Sequence, residues 1–387
     1  LNVVALALFC DYLLLTLCVP VLPAVFGDSF SAIEIGLVFA SKPIFQFLAN
    51  PYMGSIVDLH GPKYPLLLGV IVLALSTFLF AFGLSIKNNI STAYAVVIVA
   101  RSVQGVASAS TMSAGMTLSA LTHHESNRGT AMGIAMLGVA LGTLSGPPIG
   151  GIMGNFLPLW TPYVVVGALL LCNAAAQLYV LHRPSSTPAA STVGEVVSVL
   201  TLLKNSQILF IVAVAVTGNS CIGMIEPLIP LYLRNTFNQS ILQQGLIFAT
   251  ATGSYLVFTP IAGVVSDTYP KWGCLCIGLA ALAFGFGFLL AATGIFRVCV
   301  SLFFIGGGMS FIDTPSLPLL SEVIEDMLSS AAGQVYALSD MALCVGFALG
   351  PILGPLLQQA FGTAGFQWAA LVMGVVCGVM APLPFLV

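Results

Sequence analysis

Twelve stretches of about twenty apolar residues follow one another along this 387-residue chain, with only short polar breaks between them. One crossing of a bilayer's hydrocarbon core takes about 20 apolar residues in a helix. The stretches lie near 3–25, 34–56, 65–86, 93–117, 130–153, 162–181, 207–231, 241–264, 273–292, 297–320, 333–356 and 365–387. A soluble domain needs roughly 25% charged residues to solvate its surface. Here charged residues make up 6%, and the mean hydropathy is +1.07. The solvent for most of this surface is lipid. The reading is an all-α polytopic membrane protein of twelve transmembrane helices.

The breaks are too short for extramembrane domains. The longest, 182–206, contains HRPSSTPAASTVGE, whose Pro, Ser and Thr cannot build a core, and reads as a flexible cytoplasmic linker. It separates an N-terminal six-helix bundle (1–181) from a C-terminal one (207–387). The chain opens at Leu1 rather than Met and stops with the last apolar stretch, so tails carrying targeting signals are expected to lie outside it.

Orientation follows from the loops. With the N-terminus inside, the cytoplasmic loops hold Lys63, Arg128, Arg183, Lys204 and Lys271, against Lys87, Arg234 and Arg297 opposite. The N-x-S sequons at Asn89 and Asn238 both fall on the opposite, lumenal side. Both termini are therefore expected in the cytoplasm.

Several function classes drop out. A net charge of −3 without a basic run gives no nucleic-acid partner. The nine cysteines, among them Cys10, Cys18, Cys172 and Cys344, are scattered through apolar stretches without metal-ligand spacing and read as packing residues. His123, His124 and Glu125 read as a surface loop. No phosphate-cradling glycine loop appears, so the chain is read as no enzyme, with no cofactor and a proton gradient as its energy source. No ring of repeated polar residues suggests a channel filter.

The two halves repeat. NPYMGSIVDLHGPKYPLL, from Asn50, matches TPIAGVVSDTYPKWGCLC, from Thr259. Pro51, Gly54 and Asp58 answer to Pro260, Gly263 and Asp267, with Lys63 and Lys271 one place out of register. Gly146-Pro147 in span 5 matches Gly350-Pro351 in span 11 at nearly the same offset. A parallel repeat of this kind places a binding site at midplane between two rocking bundles. In span 5, Gly138, Gly142, Gly146 and Gly150 recur every four residues and form one smooth helical face; Gly346, Gly350 and Gly354 do the same in span 11. Small faces let helices approach closely, and Pro147 and Pro351 weaken or kink them.

Six ionisable residues interrupt the apolar stretches: Asp11, Lys42, Arg101, Glu226, Asp313 and Asp340. Each costs about 2.5–3.5 kcal/mol at a helix centre, roughly 15–20 kcal/mol gross, which demands pairing or function. Four acids against two bases leave an excess of negative charge that favours a cation: protons, an organic amine, or each in turn. A carboxylate in a dry pocket can take a proton near neutral pH. If it also binds an ammonium group, substrate and proton compete for one site, which is the physical basis of exchange.

These motifs carry a resemblance. Gly133-x8-Gly142-x3-Gly146-Pro147-x2-Gly150-Gly151 resembles the span-5 antiporter motif of the major facilitator superfamily, Gly54-x3-Asp58 its loop 2–3 motif, and Arg101-x2-Gln104-Gly105 its span-4 motif. The loop motif is eroded, with Leu59 at its usual basic position. The contexts of the charges narrow the resemblance to the vesicular amine transporters. They are Asp11-Tyr-Leu-Leu-Leu-Thr, FASK ending at Lys42, ARSVQG around Arg101, NSCIGMIEP around Glu226, FIDTPSLP around Asp313 and VYALSD ending at Asp340.

The resemblance implies that Asp11 engages the substrate amine and that Lys42 and Asp340 form a gating ion pair. Glu226 and Asn219 line the pocket, Asp313 carries the coupled proton, and Arg101 organises the N-terminal polar network. Asp340, Glu226 and Asp11 also stand as candidate proton carriers. Tyr232, Tyr255, Tyr336 and Phe347 are aromatic candidates for holding an organic cation. The expected function is a proton-coupled antiporter of cationic amines: a monoamine or acetylcholine-like amine moves from cytosol into an acidic vesicle in exchange for lumenal protons, the lipid-embedded protein working as a monomer. A broad drug/proton antiporter and a non-transporting receptor on the same fold are the alternatives.

Departures from the resembling family stand out. Tyr12 follows the span-1 Asp where the family usually has Asn, and Phe347 stands where monoamine carriers usually have Tyr. The first lumenal loop, FGDSFSAI, is short, and neither it nor the loop between spans 7 and 8 holds the cysteine of the family's lumenal disulfide.

Overall fold

An apolar stretch in lipid folds as a helix because a helix pairs its own backbone groups within the stretch. The computed structural model describes residues 1–121, 125–181, 199–291, 293–325 and 332–385. In chain order they form α1 (Asn2–Phe26), α2 (Ala32–His60), α3 (Lys63–Ser85), α4 (Ile90–Leu121), α5 (Glu125–Phe156) and α6 (Thr161–Leu181). Then come the single turn α7 (Val199–Leu202), α8 (Ser206–Phe237), α9 (Ile241–Thr268), α10 (Lys271–Leu290), α11 (Ile295–Glu325), α12 (Ala332–Phe361) and α13 (Gly365–Met380). No strand occurs among the described residues.

Among the described residues, eleven helices are long and apolar enough to cross a membrane. The last stretch differs from its expected 365–387: α13 has 16 residues, a rise of about 24 Å at 1.5 Å per residue. Pro382 and Pro384 lie just beyond it. Proline has no N–H to continue the ladder and disfavours helix at the residue before it, and the chain passes into a 3-10 turn, Leu383–Phe385. Elsewhere the helices overrun their apolar stretches: α4 and α8 each have 32 residues. Most of the expected linker, 182–198, lies outside the described residues.

Local chemistry sets the turns. Ser31 and Glu34 open α2 reciprocally: the Ser31 backbone N–H donates to Glu34 Oε2 at 2.7 Å, and Glu34 N–H donates to Ser31 Oγ at 3.3 Å. Ser240 and Gln243 open α9 with the same box. The two boxes stand at the offset that relates Pro51 to Pro260, so the repeat extends to the helix caps. Between α8 and α9, Asn238 adopts φ 51° and donates its N–H to Arg234 and Leu233 carbonyls, a left-handed stop that asparagine tolerates. Between α2 and α3, Gly61 takes φ 75°, where a side chain would be strained.

The described chain forms two compact units. One contains Leu1–Phe30 and Ser41–Val193; the other contains Ser31–Ala40 and Gly194–Val387, so α2 begins in the second unit and continues in the first. In the first unit α1 packs on α5, α3 on α4 and α6, and α1 on α4. In the second, α8 packs on α12, α10 on α11 and α13, and α8 on α11. Each unit thus repeats one packing plan.

The glycine faces make close backbone contacts in that plan. A Cβ on Gly142 would lie 2.9 Å from Leu13 N of α1, and one on Gly150 would lie 2.7 Å from Leu17 O. On α12, a Cβ on Gly350 would lie 2.6 Å from Met224 N of α8. Gly138, Gly146, Gly346 and Gly354 are similarly pressed against α1 or α8. Gly54 and Gly133 are not: a Cβ on either meets nothing within 4 Å. Gly151 is buried, and Pro351 in α12 packs against Gly36 of α2.

Candidate functional site

Five of the six ionisable residues that interrupt the apolar stretches are buried, and the first unit gathers three of them. Asp11 on α1, Lys42 on α2 and Arg101 on α4 are each 0–2% exposed. Lys42 reaches α1 because α2 and α4 touch backbone to backbone: a Cβ on Gly105 would collide with the Lys42 carbonyl and lie 2.9 Å from Gln46 N. The Lys42 ammonium then donates to Asp11 Oδ1 at 2.6 Å and to the Asp11 backbone carbonyl at 2.9 Å. Its nitrogen stands 5.8 Å from the centroid of the Tyr12 ring.

Ser108 completes the carboxylate's surroundings by donating its hydroxyl to the same Asp11 Oδ1 at 2.5 Å. Two donors therefore converge on one oxygen, while Asp11 Oδ2 is buried without a hydrogen-bond partner among the described residues. Arg101 donates from Nη1 to the Leu14 carbonyl at 3.3 Å; its Nε and Nη2 are likewise buried and unpartnered among the described residues. The cluster thus holds two cations, one carboxylate and unused polar capacity. That composition suits a charged or strongly polar guest, since a buried polar group without a partner is costly.

Sequence reasoning missed Ser108. Its signal was spacing: it follows Arg101 by seven residues, two helical turns along the same face of α4. Ser108→Ala is expected to destabilise the protein by about 1.5–3 kcal/mol, the worth of a hydrogen bond to a charged group. Denaturant unfolding in detergent measures it, and a loss below about 0.5 kcal/mol would show that the hydroxyl does not hold the carboxylate.

In the second unit, Tyr255 of α9 donates its hydroxyl to Asp313 Oδ2 of α11 at 3.2 Å. In the sequence one stands as an aromatic candidate and the other as an acid, and the fold makes them a pair. Glu226 on α8 and Asp340 on α12 are buried. Asn219 donates to the Ala215 carbonyl of its own helix at 2.8 Å and packs against Gly346. Phe347 is buried against Gly223. Tyr232 stacks on Phe366, ring centroids 4.0 Å apart and planes within 4°, so one face of its ring is already covered.

Lys42 and Asp340, the expected gating pair, belong to different units, and the pairing seen inside the first unit is Lys42 with Asp11. The side chains of Asp58 and Tyr336 lie outside the described residues, as do His123, His124 and Arg183 and the side chains of Glu125 and Arg128.

The fold and sequence have known counterparts. The profile of the Major Facilitator Superfamily matches residues 4–235 and 219–387. The synaptic vesicular amine transporter of Mus musculus is 33% identical over 91% of this chain and 66% of its own length. The chromaffin granule amine transporter of Rattus norvegicus is 33% identical over 91% of this chain and 65% of its own. The vesicular acetylcholine transporter of Torpedo marmorata is 30% identical over 90% and 67%. The chain thus spans about two thirds of the length of these relatives. Among solved structures, a bacterial homologue of the human lysosomal transporter Spinster superposes with a TM-score of 0.80 at 14% identity, covering 100% of this chain and 95% of that one. A D-xylose–proton symporter superposes at 0.77 and 16%, covering 98% and 95%. At these identities the superpositions speak to fold alone, but the profile spans both halves of the chain, and with the repeated packing plan they lead to one assignment: this chain belongs to the Major Facilitator Superfamily.

Proposed function

We propose that this protein is a proton-coupled antiporter that carries a cationic amine from the cytosol into an acidic vesicle in exchange for lumenal protons, by alternating access. The observation that carries the reading is the Asp11–Lys42 contact: a membrane-buried carboxylate already holding an ammonium group at 2.6 Å. A site that binds a tethered ammonium has the chemistry to bind a free one, and a carboxylate that releases an ammonium can take a proton instead. The names of the vesicular amine and acetylcholine relatives support the same substrate class and compartment.

On this reading Asp11 engages the amine, and Lys42 and Asp340 keep the gating role that the resemblance implies. Arg101 organises the surrounding network, and Glu226 and Asn219 extend the pocket. Asp313, held by Tyr255, carries the coupled proton, so the energy source is the proton gradient. The protein works as a monomer with both termini in the cytosol.

The test is uptake of labelled serotonin, dopamine, acetylcholine and spermidine by the full-length protein in proteoliposomes with an acidic interior. The expected result is accumulation of at least one amine, abolished when the pH gradient is dissipated and lost by Asp313→Asn. Folded wild-type protein that accumulates none of them would overturn the reading.

A further inference from the structure

Lys42 is itself a primary amine on a tether, and its surroundings describe the place such a group takes. Asp11 provides two acceptors, Oδ1 at 2.6 Å and the backbone carbonyl at 2.9 Å. The Tyr12 ring provides a third wall, its centroid 5.8 Å from the nitrogen. Tyr12 is 3% exposed, so water does not screen the attraction between the cation and the ring's π electrons. Asp11 and Tyr12 are neighbours on α1, and Gly105 brings the Lys42 segment of α2 close. Carboxylate, carbonyl and ring therefore meet at one point within a single unit.

We propose that the Lys42 ammonium occupies the substrate-ammonium position, and that Tyr12 is a specificity-determining residue there, its ring forming the wall against which a primary amine is held. This rests on the amine-antiporter reading above and adds to it a class of amine. Two adjacent acceptors are satisfied by one nitrogen only if it carries at least two N–H groups, as a primary ammonium does. A quaternary ammonium has none; it keeps the ring and the coulombic attraction but donates to neither acceptor, which leaves Oδ1 with the Ser108 hydroxyl alone. The site as built therefore prefers primary amines to choline esters. The ring's contribution depends on its π face and not on its hydroxyl, so phenylalanine substitutes for tyrosine while an aliphatic side chain of similar bulk does not.

The experiment measures uptake of labelled serotonin and labelled acetylcholine by the full-length protein in acid-interior proteoliposomes, for wild type, Tyr12→Phe and Tyr12→Leu. Equilibrium binding of serotonin without a gradient is measured alongside. Wild type is expected to favour serotonin. Tyr12→Leu should raise KM and Kd for serotonin roughly thirtyfold, the size of a desolvated cation–π contact, with maximal rate within about twofold; Tyr12→Phe should restore both constants. A purely structural role would instead lower the maximal rate and thermal stability and leave KM in place. Unchanged KM and Kd in a folded Tyr12→Leu protein would overturn the proposal, as would a wild-type preference for acetylcholine. If wild type takes up neither amine, the antiporter reading falls and this inference with it. Uptake that is intact but indifferent to Tyr12 sinks the inference alone.

Discussion

Asp11→Ala is expected to destabilise the protein by about 3–5 kcal/mol and to abolish amine uptake, while Asp11→Ala/Lys42→Met recovers at least half the stability and none of the uptake. The single substitution removes the carboxylate and leaves the Lys42 ammonium 2% exposed, with the backbone carbonyl of residue 11 and the Tyr12 ring left to receive it among the described residues. Breaking one side of a buried ion pair costs on that scale because the remaining charge is desolvated without compensation. Replacing the lysine by methionine keeps much of its volume and removes the charge, and apolar replacement of a whole buried pair is often neutral. Part of the loss persists as the cavity left by the carboxylate. Denaturant unfolding of the four proteins of the double-mutant cycle gives the coupling energy directly. Coupling below about 1 kcal/mol would mean that the two groups do not depend on each other in the folded protein.

A second large effect is expected at the glycine faces. Gly142→Leu and Gly350→Leu should each reduce uptake at least a hundredfold and lower stability by about 1–3 kcal/mol or more, whereas Gly287→Leu should leave both nearly unchanged. The opposing atoms decide this. A Cβ on Gly142 would stand 2.9 Å from Leu13 N, and one on Gly350 would stand 2.6 Å from Met224 N and 2.9 Å from the Gly223 carbonyl carbon. Those are backbone atoms inside helices and cannot swing aside as a side-chain end would, so α1 and α5, or α8 and α12, must move apart. A Cβ on Gly287 meets nothing within 4 Å, and leucine is the better helix former. Uptake normalised to folded protein recovered by size exclusion separates lost activity from lost folding. Wild-type uptake in Gly350→Leu would show that the close approach of α8 and α12 is dispensable.

Local chemistry made most of the fold legible. Apolar length alone marks eleven of the spans, because lipid leaves a helix as the answer for any stretch of about twenty apolar residues. The twelfth is an apolar helix as well, shorter than its stretch 365–387: Pro382 and Pro384 end the ladder and α13 stops at Met380. The repeat was readable from Pro51 and Pro260, and the cap pairs Ser31–Glu34 and Ser240–Gln243 carry the same offset. The four-residue glycine spacing in spans 5 and 11 already marked faces for close packing. What it could not name was the partner, α1 in one unit and α8 in the other.

The site divides the same way. That Asp11, Lys42 and Arg101 had to be paired or functional follows from the cost of a charge in an apolar helix, which needs no coordinates. Which groups pair depends on contacts between helices far apart in the chain, and sequence spacing constrains those only within one helix. Lys42 meets Asp11 because Gly105 lets α2 close on α4. Ser108, one of many serines in α4, matters because its turn of the helix faces the same carboxylate oxygen. Tyr255 becomes Asp313's partner by the packing of α9 on α11, and Tyr232 gives one ring face to Phe366. Composition and period, properties of the chain itself, determined the spans, the repeat and the list of charges that had to be accounted for; the pairings among those charges are distances between separate helices, and only the packed structure decides them.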